Sequence, residues 1–254
     1  MAKMNLNVGI RNLKKQTNIL SIKVPDALRH KKATGVSWFD DALGGEGFTP
    51  STSMMLTGGP GCGKTTMLLQ IADAITAQGH IALLNTGEES LYQVKMVAER
   101  LKLQNGFICG QDTLVSDILE HADEIRKANK GKQFFILQDS LQTADDGFYP
   151  NGATNGSTPL RVCELLTSYA KETNAISIFV GQVNKDGNFN GKNGIKHAID
   201  VHGHLYFDDD KKSETFGERL FEIQKNRFGA NGKTYIIGMT KEGLEEKGSF
   251  KKVG

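Results

Sequence analysis

The sequence predicts an α/β fold in which a mostly parallel central sheet is flanked by helices and extended by antiparallel strands near the C-terminus. Three observations carry this. Up to about residue 200, short apolar runs alternate with longer amphipathic stretches, the pattern of buried parallel strands covered by helices on both faces. A glycine-rich segment joins the apolar run Met54-Met55-Leu56 to an amphipathic stretch beginning at Thr66, as a strand–loop–helix unit requires. Beyond residue 200 the long helical stretches cease and strand-like runs follow one another, with turn signals at Phe228-Gly229 and Asn231-Gly232.

Taken in order, residues 1–32 mix scattered basic side chains with Pro25 and sustain neither periodicity. They are read as an N-terminal arm, leaving open whether it includes a strand, and residues 33–254 as one core domain. From Gly35 a helical turn containing Trp38, Phe39, Asp40, Asp41, Ala42 and Leu43 stops at Gly44-Gly45. Apolar runs predict strands at 53–57, 81–85, 107–109, 134–138 and 175–181. Helices are predicted between them at 63–78, 91–101, 113–129 and 158–173. The later strands are predicted at 201–207, 219–225 and 234–239. Two long segments rich in Gly and Asn, 144–157 and 183–198, are read as loops, and loops of such length in a compact domain are often functional. Gln138 is an unusually polar residue for a buried strand, and nothing in the sequence accounts for it.

Charge and cysteine content narrow the function classes. Lys and Arg total 31 against 29 Asp and Glu, a formal net charge of +2. That is not the balance of a chain that coats nucleic acid, so any DNA contact must come from local clustering. Cys62, Cys109 and Cys163 stand isolated, which suits neither a disulfide framework nor a four-cysteine zinc module. The N-terminal residues lack the apolar core of a signal peptide, and no apolar run approaches a membrane span. A cytoplasmic protein without membrane contact is the expectation.

The chemistry centres on Gly58, Gly59, Pro60, Gly61, Cys62, Gly63, Lys64 and Thr65, which spell G-x-x-x-x-G-K-S/T. In such a loop the glycines let successive N–H groups curl around phosphates, and the N-terminus of the following helix, here from Thr66, adds a favourable dipole. Lys64 is expected to reach the β- and γ-phosphates and the Thr65 hydroxyl to hold Mg²⁺. Asp139, after four apolar residues and Gln138, sits where a second, outer-sphere partner for Mg²⁺ is needed. Glu88 and Glu89 follow the 81–85 run through Thr86-Gly87. A carboxylate there can orient water for in-line attack, and Glu88 is the preferred candidate. His202 and His204 share a strand face, but no third ligand stands out for a metal. Cys62 is read as a small packing residue.

Several segments carry a family resemblance. Leu84-Asn85-Thr86-Gly87-Glu88-Glu89-Ser90 resembles the SGEES segment of the bacterial RadA/Sms family of RecA-like ATPases. Asp139-Ser140-Leu141-Gln142-Thr143 is similar to that family's DSIQT, and Lys225-Asn226-Arg227-Phe228-Gly229 is its KNRFG signature unchanged. Leu43-Gly44-Gly45, Arg161-Val162-Cys163-Glu164, Val183-Asn184-Lys185-Asp186-Gly187, His197-Ala198-Ile199-Asp200 and Leu205-Tyr206-Phe207 continue the match, in order, over roughly residues 33–245.

The resemblance implies a RecA-like P-loop fold, ATP with Mg²⁺ as the bound nucleotide, and assembly into a hexameric ring or a filament. It implies that Lys225 and Arg227 reach the nucleotide of a neighbouring subunit; residues two apart on a strand do share a face. It implies that Gln182 senses the γ-phosphate, although the family more often shows His there. It further implies that the loop carrying Lys185, Lys192 and Lys196 holds single-stranded DNA, with Phe189 as a stacking platform, and that 151–156 with Phe148 or Tyr149 forms a second such loop. Full-length members carry an N-terminal zinc module and a Lon-like C-terminal domain. No cysteine precedes Cys62 here, and about fifteen residues follow Met239, so the expectation is a motor core alone, an arrangement that suits a phage-encoded form. The expected activity is DNA-dependent ATP hydrolysis in recombination, repair or replication, with binding to or movement along single strands. The alternatives are an ATP-gated single-strand binding or annealing factor without motor activity, and a KaiC-like signalling ATPase.

Overall fold

The computed structural model describes residues 18–149, 152–182 and 194–251. Their strands form one nine-stranded sheet in the order β3-β2-β4-β5-β1-β6-β7-β8-β9. The parallel part comprises β1 (Ser53–Gly58), β2 (Ile81–Thr86), β3 (Ile108–Gly110), β4 (Phe134–Asp139), β5 (Ile176–Gln182) and β6 (Val201–Phe207). The antiparallel part adds β7 (Arg219–Asn226), β8 (Lys233–Thr240) and β9 (Gly243–Lys251). The helices are α1 (Ser37–Ala42), α2 (Lys64–Ala77), α3 (Leu91–Arg100), α4 (Val115–Ala128), α5 (Thr158–Thr173) and α6 (Gly194–Ala198). Among the described residues no helix is long and apolar enough to cross a membrane.

The alternation of side chains along each strand divides the interior in two. Met54 and Leu56 of β1, with Phe135 and Leu137 of β4, face α1, α2 and α3. Met55, Phe134 and Ile136 face α4 and α5 on the other side. Both faces being covered explains why these strands read as continuous apolar runs. Trp38 and Phe39 of α1 pack on Phe221 of β7 at 5.4 and 5.6 Å between ring centroids. Asp41 accepts hydrogen bonds from Tyr235 Oη at 2.7 Å and Lys233 Nζ at 2.5 Å, so α1 clamps the antiparallel extension to the parallel sheet.

Three features depart from the sequence expectation. β9 lies beyond the last predicted strand: its outward side chains are mostly charged, and pairing with β8 holds it while Leu244 alone of its large side chains is buried. A short helix, α6, replaces the end of the 183–198 loop, anchored by buried Ile195. In the arm, residues 18–32 form 3-10 turns at Ile19–Ser21 and Asp26–Leu28 and a single bridge from Lys32 to Phe48, so no strand forms within 18–32.

Candidate nucleotide site

The parallel strands all end at one edge of the sheet. Gly58 lies in register with Gln182, and Thr86 with Asp139, so the loops after β1, β2 and β4 gather outside the carboxyl ends of their strands, where open α/β sheets bind ligands. The loop after β1 runs directly into α2. A Cβ on Gly58 would lie 2.0 Å from Leu205 O and 2.7 Å from Cys62 Sγ, so no larger residue fits where the chain turns. Cys62 is buried beneath the loop and burial raises its thiol pKa, which suits packing rather than reactivity.

The predicted residues converge here. Gly58, Pro60, Gly61, Gly63, Lys64, Thr65 and Thr66 line a pocket of about 460 Å³ that Glu88 and Asp139 complete. Lys64 Nζ donates to Gly58 O and Gly59 O, each at 2.9 Å, which folds the ammonium over the loop. Thr65 Oγ1 donates to Asp139 Oδ2 at 2.6 Å. This hydroxyl–carboxylate pair is the hard oxygen donor set that Mg²⁺ takes. Burial, followed by repulsion from Glu88 and Glu89 and opposed by Thr65 and Lys64, raises the Asp139 pKa to about 6. A carboxylate made costly in this way is one that a bound cation would relieve.

Glu88 is placed by a residue that sequence reasoning passed over. Ser140 Oγ donates to Glu88 Oε1 at 2.7 Å, and Glu88, not Glu89, lines the pocket. Behind Ser140 lies Gln138, whose polarity is now explained. Its Nε2 donates to Ser140 O at 3.1 Å and its Oε1 accepts from Asn85 Nδ2 at 3.0 Å. Asn85 also donates to Asp112 O and accepts from Asp112 N. Buried amides satisfied at both ends fix their neighbours firmly, and this chain of amides fixes the strand ends that carry Glu88 and Asp139. Two amides facing each other across adjacent strands, Asn85 opposite Gln138, were the available signal.

Lys225 and Arg227 lie elsewhere. Asn226 pairs with Val201, which pairs with Met54, so this pair sits at the amino end of β1. With a rise of about 3.3 Å per residue, that is on the order of 15 Å from the phosphate loop. Lys225 Nζ donates to Ile199 O at 2.5 Å and Lys196 O at 2.7 Å. Arg227 pairs with Asp200 at 3.5 Å and donates to His197 O at 3.4 Å. The turn that follows docks on the end of α1, where a Cβ on Gly229 would lie 2.3 Å from Leu43 O. The Leu43-Gly44-Gly45 and KNRFG segments, distant in sequence, therefore touch.

The remaining candidates are less complete. Lys196 is exposed on α6; Lys185, Phe189 and Lys192 lie outside the described residues. The backbone of Gln182 ends β5 beside Gly58, and its side chain also lies outside. Phe148 is 64% exposed, with the Arg161 guanidinium 4.6 Å from its ring centroid and Tyr149 edge-on at 5.0 Å. His202 Nε2 and His204 Nδ1 both reach Thr57 Oγ1, at 2.8 and 2.9 Å. Among the described residues no cluster of three or more metal-ligating side chains occurs.

No protein-family profile matches the chain. It is 33% identical over 217 residues to a DNA repair protein RadA of Aquifex aeolicus, which covers 85% of this chain and 46% of that protein. It is 36% identical over 219 residues to the Haemophilus influenzae protein of the same name, covering 84% and 44%. A Rickettsia bellii DNA repair protein RadA is 33% identical over 245 residues, covering 95% and 52%. The chain thus spans about half the length of the curated relatives it matches. Among solved structures, a free-standing ATPase domain superposes with a TM-score of 0.72 at 17% identity, covering 85% of this chain and 90% of that one. A DnaB-like replicative helicase superposes with a TM-score of 0.71 at 16% identity, covering 84% and 60%. These two likenesses establish the fold.

Proposed function

The chain belongs through its core to the RadA-type, RecA-like ATPases, and from that premise we propose that it hydrolyses ATP in response to single-stranded DNA, as a homo-oligomer acting in recombination, repair or replication. The observation that carries this reading is the division of the machinery. Lys64, Thr65, Glu88 and Asp139 share one pocket, while Lys225 and Arg227 are held at the opposite end of the sheet. A chain whose basic pair cannot reach its own phosphate loop suits a site completed by a neighbouring copy.

In this mechanism the loop N–H groups and Lys64 hold the triphosphate, and Glu88, aimed by Ser140, orients the attacking water. Mg²⁺ held by Thr65 with Asp139 in support would neutralise charge on the β- and γ-phosphates. Lys225 and Arg227 of the adjacent copy steady the charge that builds on the transferring phosphoryl group. Gln182, in register with Gly58, is the proposed γ-phosphate contact leading into the next loop. That loop, with Lys185, Lys192 and Lys196, binds the DNA backbone without sequence preference. Lys225 bonds to the Lys196 carbonyl, which ties the proposed DNA-binding segment to the basic pair.

The test is steady-state ATP hydrolysis with and without single-stranded DNA. Stimulation by DNA is expected, and Lys64→Ala should abolish most turnover in both conditions. An assembled protein whose turnover ignores DNA would overturn the DNA-dependent reading. Annealing of complementary strands without any directional displacement would instead favour a nucleotide-gated binding factor.

A further inference from the structure

Asp200 has no part in the phosphate pocket, yet it is 2% exposed and both carboxylate oxygens are engaged. Oδ2 accepts from Ser53 N and Ser53 Oγ, each at 3.1 Å. Oδ1 faces the Arg227 guanidinium at 3.5 Å. Its backbone takes part as well: Asp200 N donates to Ser53 O at 3.0 Å, and Arg227 N donates to Asp200 O at 3.1 Å. One residue at the start of β6 thus staples the first residue of β1 to the residue that follows β7. Next to it, the Ile199 carbonyl receives Lys225 at 2.5 Å.

A buried carboxylate is costly unless paired and hydrogen-bonded. Here the pairing is uneven. Ser53 is buried and fixed in the central strand, whereas the Arg227 side chain is half exposed. The rigid partner sets where the carboxylate points, and the carboxylate then limits where the long, otherwise mobile guanidinium can go. We propose that Asp200 is the positioning residue of the basic pair, presenting Arg227, with Lys225 beside it, to the nucleotide of the adjacent copy. This rests on the reading that the pair acts across the subunit boundary. A misplacement of about 1 Å in a group acting on a transition state can cost roughly a hundredfold in rate, so the carboxylate matters although it touches no substrate.

The test uses mixed oligomers of the full chain. Asp200→Asn, nearly isosteric, should lower kcat roughly tenfold to a hundredfold while leaving the affinity for a non-hydrolysable ATP analogue within about twofold of the parent's. Mixed one to one with Lys64→Ala, it should regain turnover. About a quarter of the boundaries in a head-to-tail assembly then join an intact phosphate loop to an intact basic pair. Arg227→Ala mixed with Lys64→Ala is the control for the underlying reading and should regain turnover equally. If the control recovers and the Asp200→Asn mixture does not, Asp200 serves its own chain's fold or loop, and the proposal is overturned. If neither mixture recovers, the reading across the boundary fails first. Ser53→Ala keeps the carboxylate and removes one of its donors. It should show the same pattern at smaller size, and it carries the test should Asp200→Asn fail to fold.

Discussion

Ser140 Oγ holds a single carboxylate oxygen of Glu88 at 2.7 Å, and on the proposed mechanism that contact separates a water-orienting group from an ordinary acidic surface residue. Glu88→Gln should keep the side chain's shape and its bond to Ser140 while losing the basic oxygen. Turnover is expected to fall at least about a hundredfold, with binding of ATP unchanged when measured by a fluorescent analogue; equal losses in binding and turnover would assign Glu88 to structure. At this scale the sequence was informative where chemistry is local to the chain. Lys64 and Thr65 follow their glycines, and Asp139 ends an apolar run. Ser140, Gln138 and Asn85 were opaque because their purpose is a network across two strands, visible only once the register of β2 on β4 is known.

Among the elements, β6 joins the phosphate loop to the basic pair. Thr57, the residue before Gly58, offers one hydroxyl to His202 and His204. That hydroxyl has one proton, so it donates to one ring and accepts from the other. Burial, with repulsion from His204, lowers the His202 pKa to about 4, below the ordinary value near 6.5. The unfolded chain therefore binds the proton more readily than the folded one. Stability is full above about pH 6.5 and declines as pH falls toward 4, by roughly 3 kcal/mol at most from this group. Thermal melts across that interval should flatten in His202→Gln, and an unchanged pH profile would assign the acid sensitivity to other groups. Strands such as β4 were legible from apolar runs because both their faces are buried. β9 was not, because its exposed residues Glu245, Glu246 and Lys247 read as a solvated tail and only the edge of β8 recruits them. The α6 helix escaped notice because a single buried side chain, Ile195, decides its placement.

For the whole molecule, the order of strands matters more than any contact. β1 stands at the centre, with its loop at the carboxyl end and Asp200, Lys225 and Arg227 at the amino end. The parallel half and the antiparallel extension were both legible in the sequence, since the change from long helices to successive turns near residue 200 marks where one gives way to the other. The separation of the two half-sites was not legible, since a motif reveals which groups act but not the direction in which a strand carries them. On the proposed mechanism, a solitary chain holds two halves that never meet. Turnover per chain should therefore drop steeply on dilution through the concentration at which sedimentation shows assembly breaking up. Constant turnover per chain would place a complete site in each monomer.

The same separation has an arithmetic consequence. In an open row, the first copy's loop or the last copy's basic pair always lacks its counterpart, so working sites number one fewer than the chains. Closing the row into a ring recovers that missing site. Counting rapidly hydrolysed ATP per chain in a single burst therefore measures how many loose ends the assembly has, and short rows would betray themselves by a shortfall.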